Sequence, residues 1–137
     1  MEQLATSSKS RSVIIMAIIA VLFGILTLKS GFDVLFIDGP ARVAAGDYVP
    51  FVLWFNFYAG FAYILAGVGL FLWHPWAVNL SLMIAVATLL VTIAFGIHIL
   101  SGGDYEMRTV GAMILRSGVW LTIALLTYKR SKKAPLQ

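Results

Sequence analysis

Four apolar runs, each close to the length needed to cross a hydrocarbon core, constrain this chain before any motif does. They cover about residues 13–37, 49–73, 76–100 and 109–128. A core of about 30 Å asks for about 20 helical residues. Runs two to four meet that length directly. The first is short between Val13 and Leu28 unless it continues through GFDVLFI to Ile37. That extension passes Lys29 and Asp33, whose i, i+4 spacing suits one helical face. Strict alternation of apolar and polar residues is absent, which argues against a membrane barrel. The expectation is an all-α membrane protein, a four-transmembrane-helix bundle.

Composition agrees. The chain is 61% apolar and 12% charged, where soluble domains are nearer one quarter charged. No polar stretch is long enough to fold as a soluble domain, so residues 1–137 read as a single integral membrane domain. There are no cysteines, which excludes a disulfide framework, thiol redox chemistry and Cys-ligated metal centres. Lys9 and Arg11 followed by Val13–Leu28 look superficially like a secretory signal. The only cleavage-like site, Val43-Ala44-Ala45, lies too far past the apolar core. The segment reads as a retained first span.

Basic residues set the expected orientation. Lys9, Arg11, Lys129, Arg130, Lys132 and Lys133 cluster at the termini, while the 29–48 loop holds Lys29 and Arg42 and the 101–108 loop holds Arg108. With four spans both termini share one side, and the bias places them in the cytoplasm of a plasma (inner) membrane. The basic tail 129–137 would attract anionic lipid at about 1 kcal/mol per residue. Topology and anchoring explain the net charge of +4 better than a nucleic-acid site does. Tyr48, Trp73, Trp76, Tyr105 and Tyr128 fall at span ends, as an aromatic belt requires. The turn at His74-Pro75 makes spans two and three a tight antiparallel pair. A weak echo between FGILTLKSGFD (23–33) and FGIHILSGGD (95–104) suggests two tandem helical hairpins related by an axis along the membrane normal.

Helix association in lipid relies on close backbone approach and polar contacts. Small residues share faces in span one (Ala17, Ala20, Gly24), span two (Ala59, Ala62, Ala66, Gly69) and span three (Ser81, Ala85, Thr88, Thr92, Gly96). Span four offers Gly111 and Gly118. Packing within the bundle accounts for such faces, and one of them could instead meet another protein or a second copy.

Polar groups inside a span are costly and default to functional candidates. Here they are Asn56, Asn79, His98 and Arg116. At 1.5 Å per residue, Asn56 lies roughly 10 Å and Arg116 roughly 13 Å below the outer boundary. His98 lies near that boundary, and Asn79 near the inner surface. Arg116 has three readings. It snorkels outward along its own stem; it is a structural hub bonded to Asn56, to carbonyls or to Asp33, Asp104 or Glu106; or it holds an anionic ligand. Trp120, at i+4, invites a cation–π contact.

His98 and His74 are about 36 Å apart on one span and cannot share a haem iron. No metal or cofactor is expected. Asp104 and Glu106 precede span four, where carboxylates complement the helix dipole. With Asp33 and Arg108 they form a second, outer-face polar cluster. Gly102-Gly103 ends span three, and Pro50 opens span two.

Three functions fit these residues. The first is an accessory, assembly or scaffold subunit that packs with another membrane protein or with itself in the lipid bilayer. The second is a small oligomeric transporter or channel taking an anionic solute from outside through Arg116 and Asn56. The third is a membrane enzyme acting on a lipid or quinone through His98, Asp104, Glu106 and Arg108.

Overall fold

A computed structural model describes residues 2–133. The order is α1 (Glu2–Leu35), α2 (Pro40–Ala45), α3 (Pro50–Phe71), α4 (Pro75–Leu100) and α5 (Met107–Lys133). No strand occurs among the described residues. Four of the helices are long and apolar enough to cross a membrane: Arg11–Leu35, Pro50–Phe71, Pro75–Leu100 and Met107–Lys132.

Three boundaries differ from the sequence expectation. The helix carrying the first span begins at Glu2, because nothing in the polar Ser-rich segment before Val13 breaks it. The 38–50 connection holds a short helix, α2, opened by Pro40 at its first position and stopped by Gly46 at φ 63°. The expected basic tail is helical through Lys133, as a continuation of α5; residues 134–137 of that tail lie outside the described residues.

The helices alternate in direction. Two long connections, 36–49 and 101–106, lie together at what we term the loop end. The start of the first span at Ser12 and the end of α5 at Arg130, joined by a hydrogen bond of 3.1 Å, lie with the 72–74 turn at the opposite, terminal end. The turn at the terminal end closes α3 with a Schellman pattern. His74 N–H donates to Gly69 O at 2.9 Å and Trp73 N–H to Leu70 O at 3.0 Å. Trp73 occupies the left-handed position at φ 54°, where glycine is usual. The same pattern closes α4, with Gly102 at φ 87° as the left-handed residue.

α1 packs chiefly on α3, and α4 packs on both α3 and α5, whereas α1 and α5 meet only sparsely. The α1–α3 pair is close because glycines face it. A Cβ added at Gly24 would lie 2.8 Å from Gly60 O, and one at Gly67 would lie 2.9 Å from Ala17 O. Substitution at either would push backbone against backbone. The main core joins Ala17, Ala20, Tyr63, Ala66, Leu70 and Trp120. A smaller core of Val49, Val52, Phe95 and Met113 sits toward the loop end.

Apart from Gly96, where a Cβ would meet nothing within 4 Å, the expected small-residue faces of spans one, two and three turn inward: Ala17, Ala20, Gly24, Ala59, Ala66, Gly69, Ser81, Ala85 and Thr88 are buried, and Ala62 and Thr92 are half-buried. Gly111 and Gly118 do not. They lie on the exposed side of α5, and a Cβ at either would meet nothing within 4 Å. The two copies of the sequence echo also fail to coincide in depth. Phe23 lies twelve residues before the end of α1 at Leu35, and Phe95 five before the end of α4 at Leu100.

Candidate functional site

Arg116 stands on α5 and reaches across to α1 and α3. Its Nη1 donates to Thr27 Oγ1 at 3.0 Å and to Tyr63 Oη at 3.3 Å. The guanidinium carbon lies 5.0 Å from the Phe23 ring centroid and 5.9 Å from that of Tyr63. Among the described residues no carboxylate pairs with it. Two hydroxyls and two ring faces take the place of a counter-ion. The contact with aromatic rings is worth about 0.5–2 kcal/mol, at the upper end where water is excluded.

Several sequence expectations for Arg116 change here. The hub joins three helices, but its partners are Thr27 and Tyr63; no hydrogen bond links Arg116 to Asn56, Asp33, Asp104 or Glu106. The cation–π partners are Phe23 and Tyr63. Trp120 enters one step removed, with its ring centroid 4.9 Å from that of Tyr63. Trp120 and Tyr63 are both completely buried, and Trp120 Nε1 and Arg116 Nε have no partner. Unmatched buried donors cost about 1–3 kcal/mol each in water-soluble proteins. The cluster is therefore held by packing and by the shared Nη1 donor rather than by complete polar satisfaction.

Above Arg116, toward the loop end, a half-open cavity of about 550 Å³ is lined by α1, α3 and α5 with α2 beside it. Its polar lining includes Lys29, Asp33, Asn56, Glu106 and Arg108. Asn56 is 9% exposed, and its Oδ1 has no hydrogen-bond partner. Lys29 Nζ pairs with Asp33 Oδ2 at 2.8 Å, one turn apart on α1, which is the face their spacing implied. Glu106 Oε1 accepts from Asp47 N–H at 2.8 Å and so ties the α2–α3 link to the start of α5. The Glu106 carbonyl also accepts from Thr109 N–H at 3.0 Å, the position of a helix cap.

Arg42 closes another helix end. Its Nε donates to Val34 O at 2.8 Å and its Nη2 to Leu35 O at 2.9 Å. These are orphan carbonyls of the last turn of α1. The sequence reading weighed Arg42 only as a topology residue. Its place seven and eight residues beyond those carbonyls is the feature that could have suggested a cap.

The two proposed polar clusters are thus regrouped. Asp33, Asn56, Glu106 and Arg108 share the cavity. Arg116 belongs to the layer beneath it. His98 and Asp104 stand apart from both. His98 Nε2 donates to the backbone carbonyl of Asp104 at 2.9 Å, and its ring lies edge-on to Phe51 at 6.1 Å. This bond pins the 101–106 link to the end of α4. Asn79 is exposed near the start of α4. No group of three or more His, Asp or Glu side chains converges as a metal site among the described residues.

Thr27 and Tyr63 are the site residues that sequence reasoning missed. Depth alone pairs Arg116 with Thr27: about 14 Å from the start of α5 and about 12 Å from the end of α1 at 1.5 Å per residue. Comparison with protein-family models, with curated proteins and with solved structures returns no match.

Proposed function

We propose that this chain is a multi-pass protein of the plasma (inner) membrane with both termini in the cytoplasm. Its helices form a bundle of two tandem hairpins, α1 with α3 and α4 with α5. It serves as an accessory, assembly or scaffold subunit by packing with another membrane protein. The loop end is then the outer face, consistent with Lys and Arg concentrated at the termini.

One observation carries the association reading: the outward face of α5 differs from those of the other spans. α1 shows Ile15, Ile18, Leu22 and Ile25 outward, α3 shows Trp54, Tyr58, Phe61 and Leu65, and α4 shows Met83, Val86, Leu90 and Ile93, giving way to Ala94 and the open Gly96 only near its loop end. Such faces suit acyl chains. α5 instead interrupts its exposed Ile114, Leu115 and Leu125 with Gly111, Gly118 and Thr122. Gly111 and Gly118, seven residues apart, leave open space on either side of the exposed Leu115. Small residues on a helix face admit close approach of a second helix, which is how helices associate where lipid removes the hydrophobic drive. The proposed occupant is one transmembrane helix of a different membrane protein.

A transporter or channel that binds an anion through Arg116 and Asn56 together draws less support. The hydrogen bonds of Arg116 run to Thr27 and Tyr63, away from Asn56. An enzyme site built from His98, Asp104, Glu106 and Arg108 draws less again, since His98 and Asp104 are not part of the cavity lining.

Isolation from the native membrane in mild detergent, followed by mass determination, tests the association. A complex heavier than the 15.0 kDa chain by a second polypeptide is expected, and Gly118→Ile should release that polypeptide. A lone monomer, or a complex made only of copies of this chain, would contradict it.

A further inference from the structure

We infer that the loop-end cavity seats one zwitterionic phospholipid whose headgroup carries a primary ammonium beside its phosphate. The volume of about 550 Å³ lies within the range of small-molecule sites, about 300–1,000 Å³. Leu26 lines the cavity and is 66% exposed. The cavity therefore opens onto the apolar surface of α1, where α1 and α5 meet only sparsely and acyl chains can leave. Val49, Val52 and Leu53 of the α3 side supply an apolar wall. The site needs the loop end to lie at a membrane face. It does not depend on the helix proposed for α5.

Four charged side chains line the cavity, and they balance: Lys29 and Arg108 against Asp33 and Glu106. Lys29 Nζ and Asp33 Oδ2 neutralise one another at 2.8 Å. Glu106 and Arg108 remain. Glu106 Oε1 accepts from Asp47 N–H at 2.8 Å, a neutral donor that leaves the carboxylate its charge. Neither Glu106 nor Arg108 forms an ion pair, with the other or elsewhere, among the described residues. Each carboxylate also keeps one oxygen, Asp33 Oδ1 and Glu106 Oε2, without a hydrogen bond among those residues. A ligand for this lining must bring both signs. A purely anionic headgroup would answer Arg108 and stand against Glu106 and Asp33; a purely cationic one would reverse the mismatch. A phosphate with an ammonium two carbons away answers both. Arginine suits the phosphate through paired N–H donors, and the ammonium has three donors for the two free carboxylate oxygens. A choline headgroup carries the same charges, but its methyl groups replace every N–H.

Native mass spectrometry of the full chain, delipidated and titrated with lipids of identical acyl chains, tests the site. Ethanolamine-headed phospholipid should bind at least about fivefold more tightly than the choline-headed or the glycerol-headed lipid, the scale of one net hydrogen bond. Monomethyl and dimethyl ethanolamine headgroups keep the charge and lose donors one at a time. They should fall between ethanolamine and choline, in that order. Glu106→Gln keeps an acceptor for Asp47 N–H and should cut the ethanolamine-over-choline preference by at least half. Arg108→Gln should weaken both lipids alike, since both carry the phosphate. Ala112→Phe, which fills the cavity and leaves every charged group in place, should abolish retention of the ethanolamine-headed lipid. Circular dichroism checks that each variant keeps its helix content. Should Ala112→Phe lose its helices, Ala44→Phe, at an exposed lining position on α2, takes its place with the same expected result. Equal binding of the three headgroups, tightest binding of the glycerol-headed lipid, or an undiminished preference in folded Glu106→Gln would overturn the inference. So would displacement of the lipid by equimolar free phosphoethanolamine, which would assign the site to a soluble zwitterion. Release of the chain from native membranes by alkaline carbonate would overturn the membrane reading along with the site. Equal binding by a chain that stays in the membrane would overturn the site alone.

Discussion

Tyr63 and Trp120 lie 4.9 Å apart between ring centroids, tilted by 32°, and neither is exposed. Arg116, one turn before Trp120, donates to the Tyr63 hydroxyl at 3.3 Å. Tyr63 therefore does two separable jobs, filling space against Trp120 and Phe23 and accepting from a charge. Tyr63→Phe removes only the second. A lost hydrogen bond to a charged donor costs about 1.5–3 kcal/mol, lowered here because Thr27 still accepts from the same Nη1. Tyr63→Ala also opens a cavity and should cost about 3–5 kcal/mol, the range for large aromatic truncations. Denaturation in mixed micelles followed by helix content measures both. Equal losses for the two variants would show that the hydroxyl, rather than the ring, dominates.

The glycines give a sharper contrast. Gly24 and Gly67 hold α1 against α3, where any Cβ would press on a backbone carbonyl; Gly111 and Gly118 face open space. Gly24→Val or Gly67→Val should destabilise by more than about 2 kcal/mol, as overpacking does. Gly111→Val and Gly118→Val should leave the isolated chain within about 0.5 kcal/mol of the parent, as surface changes do. The same denaturation measurement decides it. A large loss at Gly118 in the isolated chain would mean that this face is packed within the molecule.

Most of this architecture is legible in the sequence, and the exceptions have physical causes. Uninterrupted apolar length determines a span whatever surrounds it, so α3 and α4 begin and end within a few residues of expectation, and α5 begins so but runs on through the basic residues to Lys133. α2 was hidden because Asp38-Gly39-Pro40 and Gly46-Asp47 are turn residues that also serve as helix boundaries. The partners of Arg116 were hidden for another reason. Thr27 and Tyr63 are unremarkable polar residues in a span, and only the pairing of α1 with α3 brings both to the depth of Arg116. Gly111 and Gly118 read as packing residues, yet which side of α5 they occupy is a tertiary fact.

Arg42 is expected to act as a cap at a distance. Arg42→Met keeps the stem and removes the two donors to Val34 O and Leu35 O. The end of α1 should fray, with faster amide hydrogen exchange over residues 34–46 and unchanged exchange in α4. Loss of about 1 kcal/mol is the scale for one uncompensated cap. Unchanged exchange in that segment would remove Arg42 from this role.

Glu106 joins two connections through a single acceptor, with Asp47 N–H at 2.8 Å. Glu106→Ala should loosen the 46–49 segment without melting any long helix. Limited proteolysis at the loop end should speed several-fold, while circular dichroism stays the same. Unaltered proteolysis would show that the α2–α3 link is held by other contacts.

Position-specific photocrosslinking in the native membrane tests the association account most directly. A photoreactive residue at Leu115, beside Gly118 on the open face of α5, is predicted to form an adduct with one other membrane polypeptide. The same probe at Leu90, on the exposed side of α4, is predicted to form none, and Gly118→Ile should suppress the Leu115 adduct. No polypeptide adduct at Leu115, or equal adducts at both positions, would contradict a partner helix seated on α5.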